Sequence, residues 1–209
     1  MNPKTLLRSW AVLVLALAGS AAQAHHLMDG HPPATLLQGL LSGLLHPLIE
    51  GDHLLFLLGG AALVAVARVP VGRGVQLLGA FAVASSIGTA MHAIGVAMPW
   101  AGTGVALSLL VLAVALLRVT LGGLPLLVLA VTGGMLHGYE YGESIAGAPA
   151  LPALAYATGL LVVQALMLCA VHGGWSRVIE RSPVWRPSAR RGLALLIGLV
   201  GAWALGGAA

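Results

Sequence analysis

The sequence predicts an all-α, polytopic membrane protein. Hydrophobic residues make up 59% of the 209 residues and charged residues only 8%, whereas a soluble domain carries about 25% charged residues. So few charges cannot cover the surface of a water-soluble globule. The apolar residues also fall into long runs separated by short polar segments, which is the pattern of successive membrane helices.

The first 24 residues have the pattern of a removable signal peptide. Lys4 and Arg8 form a basic start, a short apolar core covers 10–18, and a small-x-small cleavage triplet ends at Ala24. The alternative is a retained first helix, but the apolar core is short for a span. We therefore expect a signal peptide at 1–24, an outer tail at 25–35 and a transmembrane domain at 36–209.

Six apolar runs follow and predict six membrane spans. Their approximate ranges are 36–67, 75–98, 103–118, 122–140, 150–172 and 191–207. The first run exceeds the roughly 20 residues that cross a bilayer, and it contains Pro47 and Gly51. It is therefore predicted to be either an interfacial or re-entrant segment followed by a span, or one long, tilted and kinked helix.

The arginines predict the orientation of these spans. After residue 24 they lie in the connections that follow spans one, three and five: Arg68, Arg73, Arg118, Arg177, Arg181, Arg186, Arg190 and Arg191. A six-span chain places all of them on one side, which the positive-inside rule makes cytoplasmic. Both mature termini are then outside, in a bacterial-type inner membrane. The net charge of +4 therefore needs no nucleic-acid partner.

The main candidate for chemistry is a group of ionisable residues inside the first apolar run. It comprises His46, Glu50, Asp52 and His53. Ionisable groups at membrane depth are costly and usually functional, and imidazole with carboxylate suits a transition metal. On one continuous helix, His46, Glu50 and His53 would share a face. The alternative is a helix start at the interface, with the histidines facing water.

Two further segments place ionisable groups at the same predicted depth. His92 lies in the outer half of span two, and His137, Glu140 and Glu143 lie at the outer end of span four. His137, Glu140 and Glu143 follow steps of three, which give a contiguous polar edge on a helix. The alternatives are a buried histidine bonded to a hydroxyl group at His92 and a wet outer loop at Glu143.

Glycines in the same part of span four predict a close helix–helix contact. Gly134, Gly138 and Gly142 repeat at four-residue spacing. Such a ridge of small residues lets another helix approach closely.

The predicted outer tail carries histidines of its own. His25, His26, Asp29 and His31 lie within seven residues. They form either a capture tail, where a free amine beside His25 and His26 would bind Cu²⁺ or Ni²⁺, or a polar leader without function.

Three motifs resemble one protein family. His46-Pro47-Leu48 followed by Asp52-His53-Leu54-Leu55-Phe56 is similar to the first-span motif of the HupE/UreJ-type permeases, the hydrogenase and urease accessory proteins. His137-Gly138-Tyr139 resembles the fourth-span motif of that family, and Thr89-x-x-His92 resembles a second-span segment of related members. Length and topology agree over nearly all of the mature chain.

The resemblance implies inward passage of nickel or cobalt through the membrane, with His46, Asp52, His53 and His137 as functional positions. The chain also departs from the family. Glu50 stands where the family usually has glycine, and Glu140 where it has a small residue. These added carboxylates leave the metal open.

The sequence thus predicts a permease for Ni²⁺ or Co²⁺, not an enzyme, with Zn²⁺ and Cu²⁺ left open. The predicted outer site combines His46, Asp52, His53, His92 and His137 as groups that replace water on the ion, and Glu50, Glu140 and Glu143 as groups that neutralise its charge. Transport is predicted to be secondary or channel-like, because no phosphate-binding loop with its lysine occurs. The predicted partners are the metal ion, the bilayer and metalloenzyme maturation proteins, with no prosthetic group.

Two other functions fit the same residues. One is an integral-membrane zinc hydrolase acting on lipid, because three histidines, an aspartate and an activated water suffice for hydrolysis. The other is a metal chaperone or assembly subunit that holds an ion without transporting it. The oligomeric state is not predicted.

Overall fold

A computed structural model describes residues 31–118, 122–181 and 186–207. Within these ranges the chain forms seven helices and no strands, which confirms the all-α prediction. The helices are α1 (Leu36–Ile49), α2 (Gly51–Val66), α3 (Val71–Ala93), α4 (Ala101–Arg118), α5 (Gly123–Glu143), α6 (Ala150–Arg181) and α7 (Arg186–Gly207). The predicted signal peptide and most of the predicted tail lie outside the described residues.

Local sequence explains where several helices begin and end. Thr35 and Gln38 form a capping box at the start of α1, so two backbone N–H groups of the first turn have partners. Pro70 precedes α3, which starts at the next residue. Gly95 follows α3 and Gly147 follows α5 with φ angles of 82° and 76°, a conformation that glycine adopts without steric cost.

The first apolar run is broken into two helices at Glu50. Its φ and ψ of −92° and 116° are extended rather than helical, and α1 and α2 meet at an angle of 74°. Pro47 lies in the last turn of α1, where it has no N–H to continue the hydrogen-bond ladder. The predicted interruption is therefore confirmed. The assumption of one continuous helix through 46–53 is wrong.

The predicted glycine ridge packs α5 against α3. A Cβ on Gly134 would lie 2.6 Å from the carbonyl oxygen of Phe81, and one on Gly138 would collide with the backbone of Ser85. A Cβ on Gly142 would lie 2.5 Å from Cβ of His92. Both sequences advance in the same direction along this contact, so α3 and α5 are parallel. Their close approach is possible because these positions lack side chains.

The remaining helices complete the bundle around α2. α1 packs along α6, α4 packs against α7, and α2 contacts both α6 and α4. At one end of the bundle Arg73 lies near Gly123 and His172 near Gly74, within 3.3 Å and 3.7 Å of where a Cβ on each glycine would be; we call this the arginine end. The opposite end, where the α1–α2 junction meets the end of α5, is the histidine end.

Among the described residues, four helices are long and apolar enough to cross a membrane: α3, α4, α6 and α7. The bent pair α1–α2 counts as a fifth span if it crosses as one unit, and otherwise contains a re-entrant loop. α5 has 21 residues but is less apolar, because its last two turns carry His137, Glu140 and Glu143. The chain is therefore a multi-pass membrane protein, with four to five candidate spans in the part that the structure describes.

Several helix boundaries differ from the approximate ranges predicted, most clearly those of α3 and α6. α3 covers Val71–Ala93 instead of 75–98, because Pro70 and Gly95 bound it. α6 extends to Arg181, beyond the end of the apolar run at residue 172. Hydrophobicity locates the part of a helix that is apolar, but it does not locate the polar turns at its ends.

Candidate metal centre

The break between α1 and α2 brings three predicted site residues together. Nε2 of His46 lies 3.0 Å from Oε1 of Glu50, and Nε2 of His53 lies 3.0 Å from Oε2 of the same carboxylate. One ligand atom from each residue lies within 4.8 Å of the others. The extended backbone at Glu50 sets this arrangement, since α1 supplies His46 and α2 supplies His53 from different directions.

The group is nearly sealed from solvent. The side chains of His46, Glu50 and His53 are 10%, 13% and 2% exposed. The ring of Tyr141 packs against both imidazoles, at centroid distances of 5.0 Å and 4.4 Å. A cation at this position would be largely desolvated, and the carboxylate and imidazoles would replace its water.

The end of α1 adds to the negative potential of the site. The last carbonyl groups of a helix carry a partial negative charge, and His46 lies in the last turn of α1. Half-helices that end at a cation site are common in transporters with broken helices. The start of α2 at Gly51 carries the opposite partial charge, so the carboxylate of Glu50 is the main group that favours a cation here.

His46 is held from its other side by two hydroxyl groups. Its Nδ1 lies 2.8 Å from the hydroxyl of Tyr156 and 2.9 Å from that of Ser144. The Tyr156 hydroxyl donates a hydrogen bond of 2.8 Å to the carbonyl of Tyr141. Within the described part of the chain, Nε2 of His46 has no hydrogen bond of acceptable geometry, although Glu50 is near.

His53 is held from its other side by His137. The two Nδ1 atoms are 2.7 Å apart, and Nε2 of His137 lies 3.0 Å from Oγ of Ser108. Both histidines are 1% exposed. Phe56 packs on His137 at a centroid distance of 4.3 Å and separates it from the apolar interior. His137 thus contacts the site through His53.

Asp52 is near the group but does not join it. It lies in the first turn of α2, and its Oδ1 accepts a hydrogen bond of 2.8 Å from the backbone N–H of His53. The same oxygen is 3.9 Å from Nδ1 of His53, and the side chain is 33% exposed. Asp52 thus marks the more exposed side of the site, which we call the mouth of the site.

His92, Glu140 and Glu143 lie at the same end of the bundle but do not join the group at the α1–α2 junction. Nδ1 of His92 is 2.9 Å from the carbonyl of Tyr139, so its nearest partner is backbone. Glu140 is partly exposed and interacts electrostatically with Glu143, Asp52, His53 and His92. Glu143 is exposed. These groups make the histidine end acidic around the mouth of the site.

Residues 31–35 of the predicted tail are among the described residues. His31 is exposed before α1. His25 and His26 lie outside the described residues, so the capture tail stays a prediction.

Three residues that contact the site were missed by sequence reasoning: Ser108, Ser144 and Tyr156. Ser108 and Tyr156 are polar groups with apolar neighbours in α4 and α6, and Ser144 follows α5 directly. A buried hydroxyl in a membrane helix commonly bonds to its own backbone, so the sequence offered no signal of contact with a histidine. Their role depends entirely on the packing of distant segments.

Comparison with known proteins adds one assignment. No curated protein and no solved structure matches the chain. The sequence matches the family described as HupE / UreJ protein over residues 13–204, a range that includes all three groups of polar residues in the helices. The chain therefore belongs to the HupE / UreJ family.

Proposed function

We propose that the protein is a permease that moves a divalent transition metal, Ni²⁺ or Co²⁺, inward across the membrane. The observation that carries this proposal is the convergence of His46, Glu50 and His53 at a break between two membrane helices. Membership of the HupE / UreJ family supports a nickel or cobalt role as permease or accessory protein. The metal is cargo, and no prosthetic group is needed.

The proposed topology has six spans, with α1–α2 as one broken span and α5 as another. The arginine end faces the cytoplasm, in accord with the positive-inside rule, and the histidine end faces outward. The proposal includes a cleaved signal peptide at 1–24, an outer tail at 25–35, both mature termini outside and an inner-membrane location. An arriving ion then meets the acidic mouth and enters the site.

Inward release requires a second conformation. Toward the arginine end, the space below the site is lined only by apolar residues, among them Phe56, Leu77, Phe81 and Leu112. The stacked rings of Phe56 and Phe81, with centroids 5.8 Å apart, lie between the site and this space. An ion cannot cross such a region without polar partners, so the described conformation corresponds to a state closed on the inner side.

The wider predicted site has distinct roles in this proposal. Glu140, Glu143 and Asp52 attract the cation at the mouth, and His92 stabilises that end of α3. His25, His26 and His31 form a capture tail. Metalloenzyme maturation proteins are the proposed cytoplasmic recipients.

Uptake into proteoliposomes tests the function. Wild-type protein should carry Ni²⁺ or Co²⁺ inward, and His53→Ala should abolish that flux because it removes a converging ligand. His172→Ala, at the arginine end, is the matched control and should retain it. Asp52→Ala and His137→Ala extend the test to the mouth and to the inner side of the site. Competition among Ni²⁺, Co²⁺, Zn²⁺ and Cu²⁺ in the same assay identifies the metal.

The assay also separates the alternatives. Metal that binds without flux would contradict transport and favour a chaperone or assembly subunit. Tightly held, non-exchanging Zn²⁺ together with lipid hydrolysis would favour a membrane hydrolase. Wild-type flux in His53→Ala, at equal reconstitution, would contradict the assigned site.

A further inference from the structure

We propose that Tyr156 and Ser108 are positioning residues that hold a proton on Nδ1 of His46 and His53, so that Nε2, the nitrogen beside Glu50, is the one that binds the metal. This inference rests on the proposed metal-binding function. Each residue does so by donating its single hydroxyl proton to a backbone carbonyl, which leaves its oxygen as an acceptor for a ring N–H group. Neither hydroxyl touches the metal.

Tyr156 determines which nitrogen of His46 carries the proton. A carbonyl has no proton to give, so the 2.8 Å contact between the Tyr156 hydroxyl and the Tyr141 carbonyl requires the phenol to donate. Tyr141 lies in the last turn of α5, where carbonyls lack the usual helical partner, and the N–H of Ile145 bonds to Gly142 instead. The Tyr156 oxygen then has no proton to give to Nδ1 of His46, 2.8 Å away, and accepts from it, while the Ser144 hydroxyl at 2.9 Å is a second acceptor at the same nitrogen. His46 is therefore protonated at Nδ1.

Ser108 acts on His53 through the imidazole of His137, which lies between them. The Ser108 hydroxyl donates to the carbonyl of Val105 at 2.7 Å, so its oxygen accepts from Nε2–H of His137 at 3.0 Å. His137, when neutral, then has an unprotonated Nδ1. That nitrogen is 2.7 Å from Nδ1 of His53 and accepts a hydrogen bond from its N–H group. The proton of neutral His53 is thereby held on Nδ1, as in His46.

The two series of hydrogen bonds, which we call the Tyr156 relay and the Ser108 relay, lead to the same carboxylate, that of Glu50. The two Nε2 atoms each lie 3.0 Å from an oxygen of Glu50. Bare ring nitrogens this close to a carboxylate would repel it, so without a metal the Nε2 side carries the proton that Glu50 accepts. A cation that enters the group, whose ligand atoms lie within 4.8 Å of one another, displaces that proton while Nδ1 keeps its own. The relays thus determine which ring nitrogen binds the metal.

Burial makes these relays stable. Tyr156, His137 and Ser108 are 0%, 1% and 7% exposed, so water does not compete for their hydrogen bonds. Groups that bond to the second nitrogen of a ligating histidine fix its tautomer, and their loss costs about 10–100-fold in metal affinity. We expect a loss of this size for each relay.

The test measures Ni²⁺ and Co²⁺ affinity of the purified full chain by calorimetry. Tyr156→Phe and Ser108→Ala should each weaken binding by roughly 10–100-fold. Tyr139→Phe and Ser86→Ala are matched controls, since each removes a hydroxyl that bonds to backbone carbonyls and touches no histidine of the site. Ser108→Thr retains a hydroxyl and should recover most of the affinity. The two relays reach different imidazoles, so a folding defect in one variant leaves the other test intact.

A spectroscopic readout separates positioning from general structural damage. Zn²⁺ is diamagnetic and takes the same imidazole and carboxylate ligands, so the ¹⁵N-histidine-labelled protein is examined with Zn²⁺ bound. Wild type should show His46 and His53 with a protonated Nδ1 and a metal-bound Nε2. Ser108→Ala should mix the tautomers of His137 and His53 and leave His46 unchanged. Tyr156→Phe should mix the tautomers of His46 and leave His137 and His53 unchanged.

The outcomes are distinct. Metal on Nδ1 of either histidine, or wild-type affinity and spectra in both relay variants, would overturn this inference and leave the proposed function standing. A wild-type protein that binds none of the metals would overturn the proposed function and this inference with it.

Discussion

Two regions at the histidine end carry the same kinds of side chain but build different things from them. At the α1–α2 junction, His46, Glu50 and His53 converge and are nearly buried. At the ends of α3 and α5, His92 bonds to a backbone carbonyl and Glu143 is exposed. Sequence spacing made both regions candidate sites. Only the first forms a compact ligand group in the described part of the chain.

The difference lies in the backbone and in the buried partners. The junction changes direction by 74° at Glu50, so ligands from two helices face one another across it. α5 continues as a helix to Glu143, and its carboxylates spread along its surface. Convergence therefore depends on a helix break combined with hydroxyl groups that orient the imidazoles, and residue spacing alone does not produce it.

Removing the charge of Glu50 should have the largest effect. Glu50→Gln retains the size of the side chain but removes the negative charge between the imidazoles, so Ni²⁺ affinity should fall by more than the ~10–100-fold typical of an outer-shell partner. The matched variant Glu143→Gln, on an exposed carboxylate, should lower affinity only slightly. Calorimetry of both purified variants measures the contrast. Equal losses would mean that the two regions act as one site.

Acidification should weaken metal binding next most strongly. Bound imidazole and carboxylate ligands must be free of protons, so protons compete with the metal. If one proton is displaced per ion, affinity falls about tenfold for each pH unit, or 1.4 kcal/mol, as pH falls below neutrality. Metal titrations at intervals of about one unit between about pH 5 and pH 8 give the slope. An affinity independent of pH would contradict a histidine–carboxylate site.

A methyl group at Gly138 should separate α3 from α5. Its Cβ would collide with the backbone of Ser85, and overpacking of this kind costs about 1–3 kcal/mol. Gly138→Ala should therefore lower the thermal unfolding temperature and, through His137, weaken metal binding. Gly60→Ala is the matched control, because a Cβ there meets nothing within 4 Å. A Gly138→Ala protein as stable as Gly60→Ala would contradict the close helix contact.

Tyr139→Phe should have the smallest effect and should separate stability from binding. The Tyr139 hydroxyl donates to the carbonyl of Val96 and accepts from the N–H of Met98, which ties the α3–α4 connection to α5. Its loss should cost about 1 kcal/mol of stability and leave Ni²⁺ affinity unchanged. Thermal unfolding and calorimetry of the same sample check both parts. A large loss of affinity would place the second region in the metal site.

Most of the fold could be read from the sequence. The apolar runs predicted the helices, and Gly134, Gly138 and Gly142 predicted a close contact with another helix, which the structure identifies as α3. Pro47 and Gly51 marked the interruption of the first run, but they did not give its angle. Backbone direction after a break depends on what each half packs against, which here is α6 for α1 and several helices for α2.

The sequence by itself determined the candidate residues of the site, because ionisable groups in an apolar run are rare and costly. His46, Glu50 and His53 were on that basis the first residues to consider. Only the tertiary structure decided that these three converge while His92, Glu140 and Glu143 do not. It also brought Ser108 and Tyr156 to the imidazoles across 29 and 110 residues of chain. Hydrogen bonds between distant buried groups depend on packing, and no local pattern encodes them.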